Sequence, residues 1–418
     1  MVTRDKPRLL IIVNVFSPDR GGGGAIFSDL CYGLVERGYD VTVRCAYPYY
    51  PEWKDKSGNN GLRIQRYDEK GVHVERYGIF IPSNPRSLVQ RLIYEASFFF
   101  SLIRSLPSGR TFDLVMTYCP LVGAVGFAAI NKVIYRKPLW LNVQDLSADA
   151  AAVSGIAKGK FVPKMLRSVQ QFLFNRADVW STISPVMVTR LERFRRRNQE
   201  ILYLPNWLNA SLAEEICKLP SKIGRSLNQP IHLLYAGNIG RKQDLLRFCE
   251  ILHQSNIPFE FLVHGNGAEA SSFESWINRT RDPRFRFGPF LDESTFAAAL
   301  HKADLFVITE KTASEGSFIP CKTIAGIASG TPILAVCDGD SPLGYEIRDN
   351  HLGPYLNWET AQQTPILLKE ISEKRDTVVT WQLNTVKRAT FYERGKIIDG
   401  FAAAIMNVLR KSNSSKYS

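Results

Sequence analysis

Cysteine is scarce and scattered in this 418-residue chain. Its seven cysteines, Cys31, Cys45, Cys119, Cys217, Cys249, Cys321 and Cys337, are odd in number and form no C-x-x-C, which excludes a disulfide framework or zinc ribbon and fits reduced usage. The six histidines include no H-x-x-x-H pair. No apolar run reaches the ~18 residues that a spanning helix needs. No period of 20–50 residues repeats, so a solenoid is excluded. Arg4, Lys6 and Arg8 before Leu9–Phe16 imitate a signal peptide, but Ser17-Pro18-Asp19-Arg20 and four glycines follow without a cleavage pattern. With 45% hydrophobic and 22% charged residues the chain is globular rather than disordered. Its length fits two or three domains.

Acidic residues are short in the first half alone. Residues 1–200 hold 29 Lys and Arg against 17 Asp and Glu, whereas residues 201–418 hold 24 against 23. Nearly the whole net charge of +13 therefore lies in one half, which points to an anionic partner: membrane, nucleic acid or phosphorylated substrate. A merely solvated basic surface is the plain alternative. No nucleic-acid module is recognisable, so no nucleic-acid partner is expected. Residues 86–104 place Leu88, Val89, Leu92, Ile93, Phe99, Leu102 and Ile103 at helical spacing, widened by Phe98 and Phe100 and flanked by Arg86, Arg91 and Arg104. Such a helix suits an anionic leaflet, and Arg190, Arg193, Arg195, Arg196 and Arg197 add to the same half. The competing reading makes the phenylalanines core.

Short β-branched runs alternate with amphipathic stretches, the pattern of α/β proteins. Strands are expected at 9–15, 41–45, 72–77, 113–117, 138–143 and 178–182. A second series begins after Pro205-Asn206-Trp207, with strands near 231–236, 259–264, 284–287, 304–308 and 332–336. Near-continuous apolar strands such as Leu305–Ile308 suit parallel sheets covered on both faces. The expected organisation is a Rossmann-like domain at 1–205, a second at 206–385, and a C-terminal helix from 386 that packs back on the first domain and ends in a frayed tail.

Two glycine-rich turns carry the chemistry. Gly21–Gly24 lies between a strand and a helix, where glycine lets backbone N–H groups approach a phosphate and the helix end adds partial positive charge. Gly237–Gln243 holds the corresponding place in the second half and adds Arg241 and Lys242, a planar fork beside a point charge, suited to a pyrophosphate. Flexible turns with solvated cations would look alike. Ile333–Val336 followed by Cys337-Asp338-Gly339-Asp340 imitates an Asp-x-Asp metal motif, but its place late in the second series reads as a strand entering a turn. No metal site is expected.

Pro48–Trp53, Val143-Gln144-Asp145-Leu146, Leu204–Trp207, Gly237–Gln243, Ile319-Pro320-Cys321-Lys322 and Ala328–Pro332 together resemble a retaining family-4 glycosyltransferase of the GT-B fold, most of all its colanic-acid-type, WcaI-like branch. The resemblance runs from residue 8 to about 340. It implies two Rossmann-like domains with parallel sheets facing across a cleft, and metal-independent sugar transfer with retention. The donor would be a nucleotide-sugar, a substrate and not a cofactor; the acceptor would be lipid-linked, in surface-polysaccharide synthesis at the cytoplasmic face of a membrane. Carried over by position, Arg241 and Lys242 become the catalytic cations. Gly22, Gly23, Gly24, Asn238, Gly240, Glu315, Ser317 and Lys322 become donor-binding residues, and Asp145 and Tyr118 lie on the acceptor side. The family's two glutamates fall on Ser317 and Ala325, neither acidic; Glu315 is the nearest substitute, and Tyr118 stands where many members have histidine. The loss of both glutamates leaves open a degenerate, non-enzymatic transferase that binds sugar or membrane; a nucleotide-sugar epimerase on the same fold would bind the same diphosphate, but the acid–base carboxylate pairs it needs are not evident.

Overall fold

The computed structural model describes residues 6–19, 23–85, 87–106, 112–119, 121–145, 161–196, 199–224, 227, 230–312 and 319–414; at 161–167, 375 and 413 it describes the backbone alone. The chain forms two compact units, Met1–Pro205 with Gly395–Ser418, and Asn206–Arg394.

In the first unit the described strands are β1 (Arg8–Ile12), β2 (Asp40–Ala46), β3 (Gln65–Glu69), β4 (Val72–Tyr77), β5 (Leu114–Cys119), β6 (Leu139–Val143), β7 (Val179–Thr182) and β8 (Glu200–Tyr203). They join in the order β3-β4-β2-β1-β5-β6-β7-β8, parallel except for β3 against β4. Every residue of β5 and β6 is buried, as strands covered on both faces must be. Helices α1 (Gly24–Glu36), α2 (Leu88–Ile103) and α3 (Val122–Tyr135) follow β1, β4 and β5. Gly38, at φ +84°, ends the run of α1 in the left-handed region that favours glycine.

The second unit has β9 (Ile231–Asn238), β10 (Phe259–Asn266), β11 (Phe285–Gly288), β12 (Leu305–Thr309), β13 (Ile333–Val336) and β14 (Tyr355–Leu356), all parallel, in the order β11-β10-β9-β12-β13-β14. Apolar cores cover both faces, one with Phe248, Phe261 and Trp276, the other with Leu300, Phe306 and Ile327. In each unit the first strand is flanked by strands reached in opposite directions. Ligands of open α/β sheets bind at the carboxyl ends of such a pair; here these are β1 with β5, and β9 with β12.

Three described strands lie outside the sequence expectation. β3 is a polar, largely exposed edge strand, and β8 and β14 are short edges of four and two residues, so none carries an apolar period. The single helix expected from 386 is instead two, Arg375–Ala389 and Arg394–Ser414. A 3-10 turn at Thr390–Tyr392 separates them, anchored by buried Tyr392. The chain changes unit there, so the break falls at 394/395 and not at 385/386. The last helix packs in the first unit: Phe401 stacks on Trp140 at 5.9 Å, Asp399 pairs with Arg37 at 2.6 Å, and the Tyr39 hydroxyl donates to Ala402 O at 2.9 Å. Residues 415–418 of the expected tail lie outside the described residues.

Candidate functional site

Close backbone approach shapes the carboxyl ends of β9 and β10. A Cβ at Gly265 would lie 1.9 Å from Gly237 O, and one at Gly267 would lie 2.4 Å from Ile239 O. Ile239 N–H donates to Asn266 O and Glu269 N–H to Ile239 O, each at 2.9 Å. Gln243 Oε1 accepts from Gly240 N–H and Asn238 Nδ2, both at 3.1 Å. The turn so braced displays Arg241 and Lys242 before the helix Leu245–His253 begins. Arg241 is 82% exposed with Glu269 4.0 Å away. Lys242 is half-buried, and its carbonyl accepts from Lys311 N–H at 2.8 Å, which ties the turn to the end of β12.

Beside this turn lies a buried cation. Lys322 opens the helix Cys321–Ala328, and its Nζ is buried with no hydrogen-bond partner among the described residues. The ammonium sits 3.7 Å from the centroid of the Tyr235 ring on β9, whose π face supplies part of the lost hydration. Gly237, at φ +141°, lies alongside its stem; a Cβ there would stand in ordinary contact, 3.4 Å from Lys322 Cδ. Burial brings the Lys322 amine down to about 7, the Glu310 carboxylate opposing. Glu310, directly after β12, is pushed up to about 7 by burial and by Asp338, against the pull of Lys322 and Lys242. Asn206 Nδ2 reaches Cys321 Sγ at 3.6 Å, which explains the Pro-Asn-Trp stretch as a brace for this helix.

The first unit builds a polar cluster at its own crossing point. Asn14, after β1, donates to Tyr49 Oη at 2.8 Å and to Tyr94 Oη, and accepts from Tyr118 Oη; Tyr49 and Tyr94 hydroxyls are 2.7 Å apart. Buried Asp19 accepts from Tyr49 N–H at 2.8 Å, Tyr50 N–H at 2.9 Å and Lys56 Nζ at 3.1 Å, so the Pro48–Trp53 stretch is pinned to the loop after β1. Glu95 Oε2 accepts from Gly123 N–H at 2.9 Å at the start of α3. Burial pushes that carboxyl up to about 7, against Gly123 N–H and Arg91.

Residues 21–207 match the profile of the glycosyl transferase 4-like domain. Over 349 residues, 81% of this chain and 85% of the other, the sequence is 24% identical to WcaI of Escherichia coli (strain K12), which carries the name of a colanic acid biosynthesis glycosyl transferase. The fold is similar to sucrose-phosphate synthase from Thermosynechococcus elongatus (TM-score 0.73, 14% identity, 97% of this chain and 100% of that one). It is also similar to Anabaena HepE in complex with UDP and glucose (0.66, 15%, 96% and 100%), and to WaaG, a glycosyltransferase involved in lipopolysaccharide biosynthesis (0.62, 14%, 95% and 99%). Residues 21–207 thus resemble a glycosyl transferase 4-like domain, and the chain as a whole has the GT-B fold.

In the second unit Asn238, Gly240, Lys242 and Lys322 converge on the β9–β12 crossing, while Arg241 stands at its solvent edge. Gly24 is packed rather than open: a Cβ would lie 2.5 Å from Asp19 O. A Cβ at Gly23 would meet the Phe27 ring at 2.6 Å. The Tyr118 ring lies tilted against Phe27, centroids 4.3 Å apart, and its hydroxyl belongs to the Asn14 cluster. Asp145 follows β6, two strands from β1. Ala325 packs in the apolar core. Gly22, Glu315 and Ser317 lie outside the described residues. Asp338 and Asp340 lie in the turn that leads to the helix Pro342–Asp349. Sequence reasoning passed over Glu310, Glu95, Asn14 and Asp19. Glu310 directly follows Leu305–Thr309, a strand apolar up to its last residue, but a lone carboxylate there does not by itself mark a site.

Proposed function

We propose that this protein is a glycosyltransferase that moves a sugar from a nucleotide diphosphate donor onto a lipid-linked acceptor in surface-glycan assembly, with retained configuration and without a metal ion. The observation that carries the reading is Lys322, a buried cation without a hydrogen-bond partner among the described residues, beside the Lys242 turn. A buried ammonium without a hydrogen bond costs several kcal/mol even against a ring face, and an arriving phosphate would return that cost. The HepE structures, solved with UDP and with UDP-glucose, support the donor class by analogy.

Lys242 and Lys322, with Arg241 at the edge, would hold the diphosphate. Cleavage of the anomeric C–O bond leaves negative charge on the departing nucleoside diphosphate, and fixed cations act most strongly where charge develops. Front-face attack asks for no strong dedicated base. On the acceptor side α2 supports the membrane reading: Val89, Leu92, Ile93 and Phe100 are exposed, as are Val133 and Ile134 on the adjacent α3.

The test is transfer assayed with a panel of nucleotide-sugars. Lys242→Ala should lower kcat/KM by about 10²–10³ with an unchanged melting temperature, and EDTA should leave the rate unchanged. Wild-type turnover in the variant, or loss with EDTA restored by Mn²⁺, contradicts the respective part.

A further inference from the structure

Glu310 is the second buried group at the β9–β12 crossing whose hydrogen bonding is incomplete. Its backbone is fixed on both sides: the N–H donates to Val336 O at 2.9 Å and the carbonyl accepts from Trp358 Nε1 at 2.7 Å. Its side chain is not. Oε2 is buried and has no hydrogen-bond partner among the described residues, and Lys322 Nζ is in the same condition. The two feel each other's charge, and Glu310 also feels Lys242 and Asp338. No ion pair closes between Glu310 and Lys322 among the described residues.

A buried pair kept for stability closes its hydrogen bonds, because a half-satisfied one is worse than an apolar core. Two open groups of opposite sign ask for a ligand with two faces. The ammonium needs an acceptor, such as a phosphoryl oxygen. The carboxyl needs a donor, such as a hydroxyl. A carboxylate beside a phosphate site is repulsive on its own, so its presence is repaid only by a ligand that brings that donor. We propose that Glu310 is a specificity residue of the donor site, accepting a hydroxyl of the bound nucleotide-sugar while Lys322 meets its diphosphate. The proposal rests on the donor reading above and deepens it. The hydroxyl belongs either to the ribose or to the sugar.

Calorimetric titration of the full chain separates these cases. Wild type, Glu310→Gln and Glu310→Asp are titrated with UDP, GDP, ADP and dTDP, with their sugar forms, and with inorganic pyrophosphate, which has no ribose or sugar hydroxyl to offer. Glu310→Gln should weaken the preferred nucleotide-sugar tenfold or more, where tenfold is about 1.4 kcal/mol. It should leave pyrophosphate unchanged or tighter, since a repelling charge is gone. Weakening already in the nucleoside diphosphate assigns the ribose; weakening only in the nucleotide-sugar assigns the sugar. Glu310→Asp keeps the charge with a shorter reach, so it should lose the nucleotide-sugar and keep pyrophosphate, and it serves if the glutamine variant does not fold. Nucleotide-sugar and pyrophosphate tightening together would overturn the proposal, as would nucleotide-sugar affinity unchanged in both variants. Wild type that binds no nucleotide overturns the donor reading first, and this proposal with it.

Discussion

Lys322 pairs a ligand site with a local loss of stability. An amine held near 7 in the folded chain, against an ordinary 10.5, binds its proton more weakly folded than unfolded. Between those values the unfolded chain carries more protons, so stability rises with pH across the window and the penalty is fully felt below about 7. Glu310 works the other way: with its carboxyl raised from 4.5 to about 7, the folded chain holds the extra proton, and stability falls as pH rises through that lower window. Lys322→Met, of similar length and without charge, should therefore stabilise the ligand-free protein near pH 7 and lose that advantage toward pH 10, while nucleotide binding is abolished. Urea unfolding of both proteins at pH 7 and pH 10 checks this. An advantage that does not change with pH would mean that the amine is not desolvated in the folded chain.

At the scale of elements, most strands were legible because burial on both faces leaves an unbroken apolar run, as in Leu305–Ile308. β3, written Gln-Arg-Tyr-Asp-Glu, was not, because an edge strand needs only one neighbour and shows its side chains to water. The Arg241–Lys242 turn was legible from its glycines, but Glu310 was not, since a lone carboxylate after a strand reads as a solvated loop end until its burial is seen. α2 shows the same limit. Its spacing predicts a helix, but which phenylalanines face outward depends on what packs beside it: Phe98 and Leu102 are buried, Phe99 rests against Gly126 of α3, and Phe100 is 65% exposed. Its arginines are also partly engaged, Arg91 over the Trp53 ring at 5.2 Å and Arg104 with Leu62 O. Arg195 and Arg196 bond Gln199 O and Gln171 Oε1 within the unit. Membrane docking, as proposed, then relies on the exposed apolar residues more than on the arginine cluster. Leu92→Ser with Phe100→Ser removes two side chains worth about 1.5–3 kcal/mol each on burial. Co-sedimentation with anionic vesicles at high salt should fall more than tenfold in that variant. Equal partitioning of wild type and variant would count against docking through α2.

At the scale of the molecule, the two units are built unequally from one chain. The second is continuous, Asn206–Arg394, and holds its own double-faced core together with Lys242, Glu310 and Lys322. The first is discontinuous and borrows its last element from the chain's end, where Ile398, Phe401 and Ile405 are buried. Each large apolar side chain lost from such a core costs about 2–5 kcal/mol, and a domain's net stability is only about 5–15 kcal/mol. Removing residues 395–418 should therefore unfold the first unit while sparing the second. A fragment of residues 206–394 should unfold cooperatively by itself and bind the same nucleoside diphosphate as the full chain, because the groups assigned to the diphosphate all lie within it. Calorimetry of the fragment and the truncated chain, each with and without nucleotide, reads both claims. A fragment that melts without cooperativity, or a truncated chain that keeps both transitions, would show that the borrowed helix is not what divides the two units' stability.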